Sequence, residues 1–145
     1  MYAILDGERI KTASNWKVKQ EYQYIDFNYS DFVKSPDNYY IYRQGNVVKN
    51  PDFENIKQEK DNQRILNLSM TKRELFLALY EGLGLTPFDI RERIVDEKAL
   101  IEFDYAAEYY RGNPLIDVVG KMLGLSKEDL DYLFEHKELQ KWANQ

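Results

Sequence analysis

Two stretches of the chain, forty residues apart, repeat one pattern of hydrophobic and polar positions. Residues 83–90 (LGLTPFDI) align with residues 123–130 (LGLSKEDL), and the apolar positions before them also correspond. In each copy, apolar residues at helical spacing lead to a glycine and then to a Thr or Ser that can cap a second helix. The pattern predicts two helix-turn-helix-like units with structural roles for Gly84, Gly124, Thr86 and Ser126.

Other helix signals extend this prediction over the whole C-terminal part. Thr71 and Glu74 have the spacing of a capping box, and Asn113-Pro114 can cap and begin a helix. Asp89 and Asp129 resemble shorter versions of the capping box. Two further helix faces are predicted from apolar periodicity, one with Leu100, Phe103, Ala107 and Tyr110, the other with Leu130, Leu133, Phe134, Leu139 and Trp142. We expect five or six short helices after residue 70.

The N-terminal part has the alternation of β-strands. Asp6-Gly7 lies between residues 2–5 and 9–10, and Gly45 lies between residues 39–42 and 47–48, so both stretches predict hairpins. Trp16, Val18, Tyr22 and Tyr24 alternate with polar residues and predict a half-buried strand.

Between these parts, residues 53–66 predict a helix that is polar on almost all sides. The predicted fold is therefore α+β: a small antiparallel β unit (1–52), a polar connecting helix (53–68), and an acidic, all-helical domain (69–145). A chain of 145 residues is long enough for one ordinary core or two small ones.

The charge distribution argues against nucleic acid as a partner. Residues 1–68 have no net charge, whereas residues 69–145 contain 10 Lys and Arg against 15 Asp and Glu. A nucleic-acid binder normally presents a basic surface to the phosphates. There is also no cysteine and no apolar run of about 18 residues, so we expect neither disulfides nor a membrane span.

No residue pattern indicates catalysis, and we expect neither a metal nor a cofactor. Glu102, Asp104 and Glu108 could suggest a metal site, with Asp104 and Glu108 on one helical face, but a hard cation needs more oxygen ligands than two. His136 is the only histidine and lacks a recognisable nucleophile, so we expect it on the surface.

Two residue groups are candidates for binding a partner protein. Along one predicted strand, Tyr39 lies on one face and Tyr40 and Tyr42 lie on the other. The two faces of so small a sheet cannot both belong to the core. One tyrosine face should therefore pack on the helical domain or contact a partner. The second group comprises four carboxylates around Lys127 that we expect to be un-neutralised: Glu128, Asp129, Asp131 and Glu135.

Residues 39–54 (YYIYRQGNVVKNPDFE), followed by the polar helix and by residues 70–76 (MTKRELF), resemble small tail-module accessory proteins of phages and prophages of low-GC bacteria. The resemblance implies a non-enzymatic phage protein that binds proteins, in the host cytoplasm or the phage particle. Tail accessory or assembly factor is the first interpretation. The alternative is an inhibitor of a bacterial defence system, such as an anti-CRISPR protein, and a helix-turn-helix DNA-binding regulator is the third.

Overall fold

The computed structural model describes residues 1–140. The chain divides into two compact units, Met1–Lys60 and Asp61–Gln145. The fold is α+β, as the sequence predicts: an antiparallel sheet forms the first unit, and helices dominate the second.

The first unit is built on five antiparallel strands in the order β3-β1-β2-β4-β5. Its elements are β1 (Tyr2–Asp6), β2 (Arg9–Ser14), β3 (Gln23–Tyr24), α1 (Tyr29–Lys34), β4 (Tyr40–Arg43), β5 (Asn46–Lys49) and the start of α2 (Phe53–Leu66). Both predicted hairpins are confirmed, with Gly7 and Gly45 at positive φ in their turns. The polar helix is also confirmed, since Phe53 is its only buried residue.

The predicted strand through Trp16 and Val18 is wrong. Only Gln23–Tyr24 forms a strand there, and Trp16 and Val18 are 68% and 52% exposed. The side chain of Ser14 accepts a hydrogen bond from the backbone N–H of Trp16 at 3.3 Å. This local bond competes with strand pairing and ends β2.

Helices and one small sheet form the second unit. Its elements after α2 are β6 (Ser69–Thr71), α3 (Lys72–Leu83), α4 (Pro87–Arg93), α5 (Glu97–Tyr105), β7 (Glu108–Tyr110), α6 (Pro114–Met122) and α7 (Lys127–His136). Five helices therefore follow residue 70 in the described part of the chain. None of the helices within residues 1–140 has the length and apolar character needed to cross a bilayer.

The prediction of an all-helical domain is wrong in one respect, because β6 pairs with β7. Met70 is opposite Tyr109 in this pair, and both are buried in the core of the second unit. The hydroxyl of Tyr109 donates to the carbonyl of Phe103 at 2.6 Å, and burial raises the pKa of Tyr109 to about 12. Because α5 ends at Tyr105, Ala107 and Tyr110 do not share a helical face with Phe103.

The helix starts follow the sequence signals closely. Thr71, Thr86 and Ser126 are N-caps, each in a reciprocal capping box with the residue three positions later. Asp89 and Asp129 thus form full capping boxes, although the sequence suggested shorter versions. Gly84 and Gly124 have φ values of +69° and +73°, a backbone conformation that favours glycine.

The two copies share their buried positions. Leu75, Leu79 and Ile90 of the first copy are buried, as are their counterparts Leu115, Val119 and Leu130. Leu133, Phe134 and Leu139 complete the same core. Trp142, which was assigned to the last helix face, lies outside the described residues.

Candidate functional site

The three candidate tyrosines are half-buried and pack within the first unit. Tyr40 and Tyr42 lie in β4, and Tyr39 is the residue before it. The Tyr40 ring lies 4.9 Å from that of Phe27, and Tyr42 packs against the same core. The Tyr39 ring lies 5.1 Å from Phe53, so α2 covers the other strand face. Packing inside the first unit thus buries part of each of these side chains, and their role in binding a partner stays a prediction.

One of the four candidate carboxylates, Asp131, belongs to a buried ion-pair network. Its Oδ1 accepts from Nε of Arg111 at 2.6 Å, and its Oδ2 lies 2.8 Å from Nζ of Lys127. The Arg111 side chain is only 2% exposed and also donates to Asp117 at 2.8 Å. The expectation that Asp131 is un-neutralised is wrong, because a basic residue twenty positions earlier folds against it.

Two of the remaining three also have intramolecular partners. Asp129 accepts from the backbone N–H and the hydroxyl of Ser126, both at 2.8 Å. Glu135 is 2.8 Å from the guanidinium of Arg64, so its charge is also neutralised within the chain, contrary to the prediction. Glu128 is exposed and has no partner within the described residues. The acidic character of α7 therefore serves mainly its own cap and ion pairs.

The carboxylates weighed as a metal site are dispersed. Asp104 lies in the last turn of α5 and pairs with Arg91 at 3.0 Å, whereas Glu108 lies in β7 and accepts from the hydroxyl of Ser69 at 2.5 Å. The predicted common helical face for Asp104 and Glu108 is therefore wrong. Glu102 is exposed on α5.

His136 is exposed at the end of α7, and its ring stacks on that of Tyr132 at 4.0 Å between centroids. Within residues 1–140, the structure brings no three His, Asp or Glu side chains together in an arrangement that could hold a metal ion.

A different surface, along α3 and the start of α4, distinguishes the first copy from the second. In the second copy Gly120 lets α7 approach α6 so closely that a Cβ at this position would lie 2.6 Å from Cδ1 of Leu130. The first copy has Tyr80 at the equivalent position, and this residue is 57% exposed. A tyrosine cannot fit the space that Gly120 leaves. We infer that α4 cannot pack on α3 as α7 packs on α6, so that an open groove is left.

This α3/α4 groove has a volume of about 550 Å³ and an apolar floor. Six residues line it: Lys72, Arg73, Phe76, Leu77, Tyr80 and Pro87. Leu77 is 47% exposed, and Phe88, which follows Pro87 on α4, is 65% exposed. Phe76 is partly buried and contacts the core through the ring of Phe103, 5.4 Å away.

The second copy has polar residues at the positions where the first copy exposes apolar ones. Leu77, Pro87 and Phe88 correspond to Asp117, Lys127 and Glu128. Asp117 and Lys127 take part in the ion-pair network around Arg111. A helix-turn-helix-like unit of this kind thus folds without the exposed apolar residues, so the scaffold does not require them in the first copy.

Two cations lie at one end of the α3/α4 groove. Nζ of Lys72 donates to the carbonyl of Asp104 at 2.5 Å and lies 5.7 Å from the centroid of the Phe76 ring. Lys72 is therefore fixed in place over the apolar floor. Arg73 beside it is exposed. The groove combines exposed apolar side chains with a positive end inside an otherwise acidic domain, an arrangement suited to binding an amphipathic polypeptide.

The sequence contained a signal for this groove that the sequence analysis missed. Aligning the inward positions of the two copies revealed the repeat, whereas aligning the outward positions would have revealed Leu77 and Phe88 against acidic residues. Comparison of the chain with protein-family models, with curated proteins and with solved structures gave no match.

Proposed function

We propose that this is a non-enzymatic, phage-type protein that acts by binding another protein, and that the α3/α4 groove is the docking surface. The observation that carries the proposal is the exposed apolar surface of the first copy, which the second copy replaces with charges. An exposed apolar surface that the fold does not need is a common mark of a protein interface.

The chemistry of the groove specifies its occupant. Leu77 and Tyr80 of the groove, together with the exposed Phe88 next to Pro87, offer apolar surface, and burying one large apolar side chain of a partner there would contribute about 1.5–3 kcal/mol. Lys72 and Arg73 at one end favour a carboxylate beside those apolar residues. The partner segment should therefore be an amphipathic helix with apolar anchors on one face and an acidic residue near one end.

The phage assignment rests on the resemblance of residues 39–54 and 70–76 to tail-module accessory proteins. A role as a tail accessory or assembly factor is the form of the proposal that agrees with an apolar docking groove. Inhibition of a host defence complex through an acidic surface is not proposed, because Asp129, Asp131 and Glu135 have intramolecular partners. The exposed Glu128 offers a direct test of that alternative: Glu128→Lys should leave partner binding unchanged.

The test exchanges residues between the two copies. The double variant Leu77→Asp, Phe88→Glu gives the first copy the side chains of the second, so the fold should tolerate it. Val118→Asp is the matched control, since Val118 is an apolar residue on α6 with 48% exposure, outside the groove. Each protein is tagged and used to capture proteins from phage-infected cells, and each captured protein is then purified and its affinity measured by calorimetry.

The proposal predicts that one purified partner binds the wild type and Val118→Asp with equal affinity and binds the double variant at least about tenfold more weakly, a loss of about 1.4 kcal/mol. Circular dichroism should be unchanged in all three proteins. Equal affinity of the wild type and the double variant for every captured partner would show that the groove is not the docking surface. Sedimentation that reveals a dimer broken by the double variant would assign the groove to self-association instead.

A further inference from the structure

A second cleft lies in the first unit, where the sheet opens between β2 and β4. These strands pair only at Arg9 and Ile41, and the backbone N–H of Tyr42 donates to the carbonyl of Glu8 at 2.8 Å. Beyond this point residues 11–14 have β1 on one side and, within the described residues, no strand on the other. A stretch of strand edge therefore faces the cleft.

A β-bulge lies at the point where β2 and β4 separate. Ile10 is opposite Leu5 and Thr12 is opposite Ile4, so Lys11 is an extra residue in β2. A bulge increases the local twist and commonly ends strand pairing. It thus accounts for the divergence of β2 from β4.

The far wall of the cleft is held in place by a buried asparagine. Asn50 is 8% exposed, and its Nδ2 donates to the carbonyl of Asn38 at 3.0 Å. Its backbone N–H donates to the carbonyl of Tyr39 at 2.7 Å, and the N–H of Tyr39 donates to Pro36 at 3.1 Å. This wall is therefore pre-formed. The cleft has a volume of about 410 Å³, within the usual range of about 300–1,000 Å³ for ligand sites.

The geometry points to an extended segment of a partner protein as the occupant, added to residues 11–14 as a further strand. A strand edge offers alternating backbone donors and acceptors, and another extended backbone complements them. Arg9 and Lys11 line the cleft against one acid, Asp37, so acidic side chains on the segment are favoured. Phe32 and Val33 supply apolar surface for its alternate residues. This inference is independent of the α3/α4 groove.

The test uses labelled peptides of about seven residues, the length of an ordinary strand, in which valine alternates with glutamate. A matched peptide has the same side chains but an N-methyl group on every backbone nitrogen, which removes the hydrogen-bond donors of both edges. Binding is followed by fluorescence anisotropy, and amide hydrogen exchange of residues 11–14 is measured by NMR with and without peptide. Lys11→Glu removes the complementary charge, and Lys17→Glu is the control, because Lys17 is exposed and does not line the cleft.

We expect the valine–glutamate peptide to bind at or below about 1 mM and to slow amide exchange within residues 11–14 at least about fivefold. The N-methylated peptide should not bind. Lys11→Glu should weaken binding at least about threefold, and Lys17→Glu should leave it unchanged. The inference is overturned if no binding occurs up to about 1 mM, if the N-methylated peptide binds equally well, or if these amides exchange at the same rate with and without peptide. Exchange that slows with protein concentration in the absence of peptide would assign the edge to a second copy of the chain and would also overturn it.

Discussion

Arg111 is the largest fully buried side chain among the described residues, and its replacement gives the sharpest test of the second unit's stability. Its guanidinium donates to Asp131 and Asp117 at 2.6 and 2.8 Å. Arg111→Met keeps much of the side-chain length and removes the charge. Asp131, which is only 17% exposed at its side chain, then loses its shortest ion pair.

The size of the effect follows from the exposure of each partner. Removing one member of a buried ion pair destabilises a protein by about 3–5 kcal/mol. Asp131 keeps its contact with Lys127, so we expect the lower end, about 3 kcal/mol. The Asp117 side chain is 62% exposed, and solvent screens its contact with Arg111. Asp117→Asn should therefore reduce stability by no more than about 1 kcal/mol.

Urea unfolding followed by far-UV circular dichroism measures these changes, because five of the seven described helices lie wholly in the second unit. The melting temperature should fall by about 4–8 °C per kcal/mol for a domain of this size. The expected order of destabilisation is Arg111→Met, then Asp131→Asn, then Asp117→Asn. The double variant Arg111→Met, Asp131→Leu should be more stable than Arg111→Met alone, because it also removes the mostly buried carboxylate that keeps only its contact with Lys127.

Two results would refute this reasoning. If the free energy of unfolding of Arg111→Met is within about 1 kcal/mol of the wild-type value, the ion pairs of the buried guanidinium do not stabilise the protein as argued. If Asp117→Asn destabilises as much as Asp131→Asn, exposure does not decide the strength of the two contacts. A double-mutant cycle of Arg111 and Asp131 separates their interaction from packing changes at either site.

Two further predictions concern glycines and a helix cap. Gly124→Val should destabilise the protein by about 1–2 kcal/mol because of the positive φ at this position alone. Gly120→Ala should destabilise it through a clash with Leu130, and adding Leu130→Val should restore part of the lost stability. Thermal melts in which Leu130→Val stabilises both glycine variants equally would contradict this distinction. Hydrogen bonds from the backbone N–H and hydroxyl of Thr71 hold the pKa of Glu74 below its ordinary value of 4.5. This contribution to stability is complete above the unfolded-state pKa of Glu74 and is lost as the pH falls through its folded-state pKa. The melting temperature of Glu74→Gln should therefore fall less steeply below about pH 4.5 than that of the wild type. Parallel curves of melting temperature against pH for the two proteins would contradict this prediction.

Local signals in the sequence were sufficient for much of the fold. Gly7 and Gly45 indicated hairpins because a tight turn between strands needs positive φ, a property of a few consecutive residues. Thr71 and Thr86 indicated helix starts for a similar reason, since the capping side chain and the amide that it accepts from are three residues apart. Elements fixed by interactions this short could be predicted one at a time.

Features that depend on distant partners could not be predicted in this way. Strand β7 exists because Tyr109 meets Met70, 39 positions earlier in the chain, and its apolar spacing taken alone continued the helical period of α5. The sequence suggested that Asp131 is an unpaired surface acid because its partner Arg111 lies twenty positions earlier, in the turn after β7. In both cases the deciding contact is long-range. Trp16 had the alternation of a strand residue, but a local hydrogen bond from its backbone N–H to the side chain of Ser14 competes with strand pairing.

The candidate groove does not depend on a local signal, yet it could have been predicted from the sequence, because the two copies of the repeat can be compared position by position. Two copies of one scaffold need the same buried residues, so Leu79 and Val119 are both apolar. Their outward positions are free to differ, and there the second copy uses Asp117 to stabilise Arg111, whereas the first exposes Leu77. A side chain that lowers solubility without supporting the fold is best explained by an interaction outside the chain. If the first copy binds a partner and the second stabilises the unit, Leu77→Asp should weaken binding without lowering stability, and Asp117→Leu should lower stability without weakening binding.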